Sequence, residues 1–230
     1  MRIHWIVPAA AALAMLSVSP AFAGDSRLND RTASRNAPRD EVADLQRLAG
    51  RGDADAMFDL AMVYRDGDGL PKDLKKAFYW FRKSAARGKA EAMNEIGCAY
   101  SKGQGVTRDY RLALDWFRKA AALGDIIAML NVGVAYDLGQ GVPIDDAEAV
   151  SWYLRSAEGG DPTAALYLAN MYERAEGVRM DYEEAARWYR RAAQSEDAEE
   201  RAEARDGLER VGEGQLPLAP PKEDTSLIAA

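Results

Sequence analysis

The side chains that ordinarily carry catalysis are sparse in this 230-residue chain, and where they occur their spacing assembles no reaction. The only histidine is His4 and the only cysteine is Cys98, so a Ser-His or Cys-His arrangement cannot be built in the body of the chain. Neither G-x-S-x-G nor S-x-x-K, the spacings that set a serine beside its activating base, is present. Zinc sites usually need several His and Cys ligands, and the sequence has one of each. Asp66-Gly67-Asp68-Gly69 has the acid-and-glycine opening of a calcium loop, but the remaining ligand spacing is absent and it reads as a turn. Carboxylates are abundant, yet no two stand out as a glycosidase pair. Cys98 reads as a small buried hydrophobe and can form no intramolecular disulfide. These residues point away from an enzyme, and to no metal or cofactor.

The elements that would position such groups follow from a register. Trp80, Trp116, Trp152 and Trp188 recur every 36 residues. Tyr64, Tyr100, Tyr136 and Tyr172 keep the same step, as do Gly69, Gly105, Gly141 and Gly177. Asp73, Asp109, Asp145 and Asp181 follow, then Ala77, Ala113, Ala149 and Ala185. A period of this length marks stacked units, each burying its apolar face on the next.

Each unit reads as two helices. Ala56, Leu60 and Tyr64 share one face of the first. Gly67 and Gly69 break it, and Leu70, or Val106, Val142 and Val178, pins the turn to the core. Asp73 and its equivalents cap the second helix, each worth about 1 kcal/mol. Asp145 with Glu148 and Asp181 with Glu184 have capping-box spacing, and Asp161-Pro162 reads as a cap followed by proline at the first helical position. On the second helix Ala77, Trp80, Phe81, Ser84 and Ala85 form a packing stripe, with the indoles as space-fillers, before Gly88, Gly124 or Gly160 ends it.

Laid along the chain, this gives repeats at 53–88, 89–124, 125–160 and 161–196, the last with Ala175 and Glu196 where glycines are expected. Residues 40–52 match the end of a second helix and start the stack, and 197–211 form a polar-faced capping helix. The tail 212–230, with three prolines, is expected to be disordered. Residues 1–23 read as a signal peptide: a basic start at Arg2, an apolar run, and Ala21-Phe22-Ala23 before cleavage. Residues 24–39, with Arg27, Arg31, Arg35 and Arg39, read as a solvated linker. A formal charge of −7 disfavours nucleic acid and anionic membranes as partners. No later stretch is long enough for a transmembrane segment.

Gly103-Gln104-Gly105-Val106 with Asp109, Ala113, Trp116, Phe117, Ala120, Ala121 and Gly124 resembles the Sel1-like repeat (SLR) family, of the tetratricopeptide-like superfamily. The resemblance covers residues 53 to about 196. It implies an all-α fold, a right-handed α-α superhelical solenoid of about four Sel1-like helix-turn-helix repeats, used as a scaffold or adaptor. Exported bacterial members tend to act in envelope regulation, secretion, motility or host contact. Together with the signal peptide this favours the periplasm, with secretion as the alternative destination. Some cysteine-rich relatives are linked to penicillin binding or hydrolysis, which keeps a cell-wall-directed hydrolase as the competing class, although their paired cysteines are missing.

If the recurring residues build the stack, a protein or peptide partner is selected where the repeats differ. The resemblance implies that first helices line the concave side. There the register places Asp55, Asp59 and Met62; Glu91, Glu95 and Cys98; Ile127, Asn131 and Val134; and Thr163, Tyr167 and Asn170. The stripe is acidic at one end and apolar in the middle, suited to a segment with basic residues toward the N-terminal repeats.

Overall fold

The computed structural model describes residues 39–212; the expected signal peptide, the expected linker up to Pro38 and the expected tail beyond Gly212 lie outside the described residues. Within them are α1 (Arg39–Gly50), α2 (Ala54–Asp66), α3 (Leu74–Ala85), α4 (Ala90–Lys102) and α5 (Tyr110–Ala122). Then come α6 (Ile126–Asp137), α7 (Asp146–Glu158), α8 (Pro162–Arg174), α9 (Tyr182–Ala192) and α10 (Ala198–Gly212). No strand occurs among the described residues, and each helix packs on the one before and the one after it.

Capping fixes the boundaries. Asp73, Asp109, Asp145 and Asp181 each accept from backbone N–H groups in the first turn of α3, α5, α7 and α9. Asp53, Asp125 and Asp161 do the same for α2, α6 and α8, at 2.7–2.8 Å. Lys89 stands in that column before α4 and makes no capping bond. In every repeat the N–H of the second-helix cap also donates to the carbonyl of the tyrosine nine residues earlier, as Asp109 does to Tyr100 at 2.9 Å. The loop is thereby closed on itself. The expected capping box before α9 is only half made, because Glu184 turns to Arg187 at 3.3 Å.

The two turn glycines have different duties. Gly103 ends α4 at φ +70°, and Ala175 takes the same left-handed conformation at φ +57° in the fourth repeat. Gly105 is held by its neighbour instead: a Cβ there would lie 2.2 Å from the Leu74 carbonyl oxygen at the start of α3. Gly141 and Gly177 press in the same way on Tyr110 and Asp146. The second glycine is thus where one repeat's turn rests on the backbone of the previous repeat.

The core differs in one respect from the sequence expectation. Of the register tryptophans Trp188 is buried, while Trp80, Trp116 and Trp152 are half-buried. The large side chain buried in all four repeats is one position on, at Phe81, Phe117, Tyr153 and Tyr189. Each ring needs a small residue opposite: a Cβ on Gly97 would meet Phe117 at 2.5 Å, and one on Gly133 would meet Tyr153 at 2.6 Å. The indoles form the outer edge of this packing, with Lys119 and Arg155 stacked over Trp116 and Trp152 at 4.3 and 4.2 Å.

Candidate partner-binding face

Side-chain bonds link first helix α2 to α4, α4 to α6, and α8 to the cap helix α10. Arg65 of α2 reaches Glu95 of α4 at 3.0 Å, and Asn131 of α6 donates to Asn94 of α4 at 2.8 Å. Thr163 of α8 donates to Glu200 of α10 at 2.6 Å, and Arg210 of α10 grips Glu173 of α8. These bridges run within the layer of first helices. The residues selected from the register lie on this layer, but they are not equally available.

At the acidic end, Asp55 and Glu91 are exposed on either side of Lys89, whose ammonium lies 2.7 Å from the first and 3.6 Å from the second. The Lys89 stem also brings its charge over Phe58, 5.2 Å from the ring centre. Asp59 and Met62 are half-buried nearby. Glu95 is enclosed and paired with Arg65, which also holds Asp66 at 2.8 Å. Cys98 is buried, and burial pushes its thiol up to about 12, so it is not a nucleophile near neutral pH.

The middle is apolar. Ile127 and Val134 are half-buried on α6, a helix that is hydrophobic on all sides although one side belongs to this face. Asn131 sits between them, nearly inaccessible, and its Oδ1 has no hydrogen-bond partner. At the far end Tyr167 packs its ring on Tyr153 at 5.3 Å, and burial, aided by Glu203 and Glu200, pushes its hydroxyl up to about 12. Asn170 is buried, its side-chain amide 2.7 Å from the Tyr189 hydroxyl. Thr163 is half-buried and tied to Glu200.

The stripe therefore divides. Asp55, Asp59, Met62, Glu91, Ile127, Val134 and Tyr167 keep accessible surface, whereas Asn131 and Asn170, and with them Thr163 and Glu95, serve contacts within the protein. Sequence spacing alone missed Asn94, Arg65, Lys89 and Glu200. Two of these carry a signal: Asn94 replaces the apolar Phe58, Leu130 and Leu166 of its column, and Lys89 replaces a column of capping aspartates. No nucleophile and base converge on this face. Among the described residues no three His, Cys, Asp or Glu side chains are grouped to hold a metal ion. Nor, among them, is any helix long and apolar enough to cross a membrane.

The model of the Sel1 repeat matches residues 54–89, 90–125, 126–161 and 162–197. The chain belongs to the Sel1 repeat family. Proteins built from Sel1 repeats are in general protein-interaction scaffolds and mainly non-catalytic. A Sel1 repeat protein from Oxalobacter formigenes is 34% identical at a TM-score of 0.69, over 76% of this chain and 68% of that one. A protective antigen present in uropathogenic Escherichia coli strains, with an SLR fold, is 32% identical at a TM-score of 0.69 over 75% of this chain. The alignment covers 37% of the antigen's length. Curated proteins give no match.

Proposed function

We propose that this Sel1 repeat protein is a non-catalytic scaffold of the bacterial cell envelope that holds a protein segment along its first-helix face. The observation that carries the reading is α6, whose Ile127 and Val134 keep apolar surface on that face in the middle of the stack. Apolar surface flanked by polar groups is what a partner helix or extended peptide covers. The carboxylates of Asp55 and Glu91 beside it favour a segment with basic residues toward the N-terminal repeats. The periplasm, reached through the signal peptide, is the proposed location. Cell-wall hydrolysis lacks support, because the polar side chains of the face bring no nucleophile together with an activating base.

Site-specific photo-crosslinking in living cells tests this, with the photoreactive residue at Tyr167 or Ile127 on the inner face, or at the exposed Tyr79 on the outer one. The reading expects one envelope protein to be captured from the inner positions only, and capture to fall at least tenfold in D55K/E91K. Equal capture from Tyr79, or capture indifferent to the charge reversal, would overturn it. Fractionation of the same cells checks the location: recovery with cytoplasmic markers would end the envelope reading.

A further inference from the structure

The outward face of α3, with its two ends, carries one sign of charge. Residues 72–87 hold six cations, Lys72, Lys75, Lys76, Arg82, Lys83 and Arg87, against one acid, Asp73. All six are exposed, whereas Asp73 is half-buried and engaged as the cap of α3. Ala77, Phe81, Ser84 and Ala85 take the buried side of the helix, which leaves Lys75, Tyr79, Arg82 and Lys83 together on the opposite one. Lys76 turns aside to Asp73 at 3.5 Å and over the Tyr64 ring at 5.2 Å. No ion pair among the described residues holds Lys75, Arg82, Lys83 or Arg87. Tyr79, 51% exposed, stands among them edge-on to Trp80, with the Lys83 ammonium 5.5 Å from its ring centre.

The turns beside α3 extend the basic face. Arg87 lies over the turn between α1 and α2, where a Cβ on Gly52 would meet its guanidinium at 2.7 Å, and Arg51 in that turn is also exposed. The turn that rests on Leu74 through Gly105 carries the exposed Arg108. The acids at these two turns, Asp53 and Asp109, are held as helix caps. Further along the stack the sign is lost. The positions of Lys75, Lys76 and Tyr79 are filled by Arg111, Leu112 and Asp115 in repeat two, and by Ala147, Glu148 and Ser151 in repeat three.

We infer that this face seats the N-terminal end of the stack on a membrane surface rich in anionic lipid headgroups, with α3 lying flat and no segment inserted. The formal charge of −7 belongs to the chain as a whole. Charges farther apart than about 8 Å are largely screened at physiological salt, so the local sign decides. Unpaired cations on long stems fit a layer of phosphates without fixed positions, and a tyrosine among them places an amphipathic ring at headgroup depth. A protein interface instead mixes polar groups with apolar surface at its centre. This face shows no large exposed aliphatic side chain. Since α3 packs on α2 and α4 with its other side, those first helices are left turned away from the bilayer.

Flotation of the purified chain from Gly24 onward tests this, using vesicles of about 30% phosphatidylglycerol in phosphatidylethanolamine against vesicles of phosphatidylcholine alone. Binding is expected to the anionic vesicles only, and to be released by about 0.5 M salt. K75Q/R82Q/K83Q should weaken partition about hundredfold, at roughly fivefold for each charge removed from the surface. R174Q/R179Q/R190Q, three exposed positions of repeat four, changes net charge equally and should weaken it less than about threefold. Circular dichroism checks folding; should the triple variant misfold, K75Q and R82Q singly should each lose about fivefold. Absence of wild-type binding, equal losses in the two triple variants, or a photo-crosslinker at Tyr79 that captures an acidic soluble protein in place of lipid would overturn the inference. Purified protein and lipid suffice, so the result does not depend on whether the first-helix face holds a partner.

Discussion

Tyr153 donates its phenolic hydrogen to Asp137 at 3.0 Å, from the second helix of repeat three to the end of the first. One register on, Tyr189 bonds Glu173 in the same way. In repeats one and two the same columns hold Phe81 with Arg65 and Phe117 with Ser101. An acid stands at the helix end only where the aromatic carries a hydroxyl. The two columns therefore vary together to keep a buried polar group paired.

Y153F is expected to lower stability by about 1–3 kcal/mol, since it leaves Asp137 partly buried without its donor. Adding D137S, which recreates the pair of repeat two, should recover most of the loss. Urea denaturation of the two single variants and the double variant checks the coupling; additive losses would contradict it.

The turn glycines are expected to separate sharply. G103A requires only the left-handed conformation that Ala175 already adopts, so it should cost about 1–2 kcal/mol. G105A must in addition displace the Leu74 carbonyl of the previous repeat, and should cost about 3 kcal/mol or more, or prevent folding. Thermal midpoints of the pair decide this, and similar midpoints would refute the stacking role.

That distinction marks how far the sequence could be read. The 36-residue register exposed the helix pairs, their aspartate caps and the turns, because caps and turns use local chemistry that spacing reveals. It did not reveal which glycine faces another backbone, since that depends on how one repeat stacks on the next. Nor did it separate Trp116 from Phe117, adjacent residues pointing to different sides of the packed stripe. Among the first helices, spacing did not reveal the side-chain bonds between them. Asn131 and Asn94 are 37 residues apart and meet only because α4 and α6 lie side by side.

Stability should pass through a maximum in mild acid. Burial raises the carboxyls of Asp125, Asp137 and Asp161, the last to about 6. Their folded values lie above their unfolded ones, so the stability they give is complete in acid and is lost as pH rises through that window. Glu173 runs the other way. Although burial opposes it, hydrogen bonds from Arg210 and Tyr189 hold its carboxyl low, so its contribution disappears as pH falls through the folded value. Urea midpoints measured from pH 3 to pH 8 should peak near about 5, and a steady rise to pH 8 would show that these burials do not govern the balance.

The tryptophans offer a graded test of the core. W188A removes a buried indole beneath α10 and is expected to cost about 3–5 kcal/mol. W116A removes a half-buried indole whose face is covered by Lys119, and the site can collapse or admit water, so about 1–2 kcal/mol is expected. The ordering matters more than either value. If the indoles were the main filler of each repeat, both variants would lose the same stability. If the enclosed column is Phe81, Phe117, Tyr153 and Tyr189, then F117A should cost more than W116A in the same helix. Chemical denaturation of W116A, W188A and F117A distinguishes the two arrangements, because only the second predicts that a phenylalanine outweighs the tryptophan beside it.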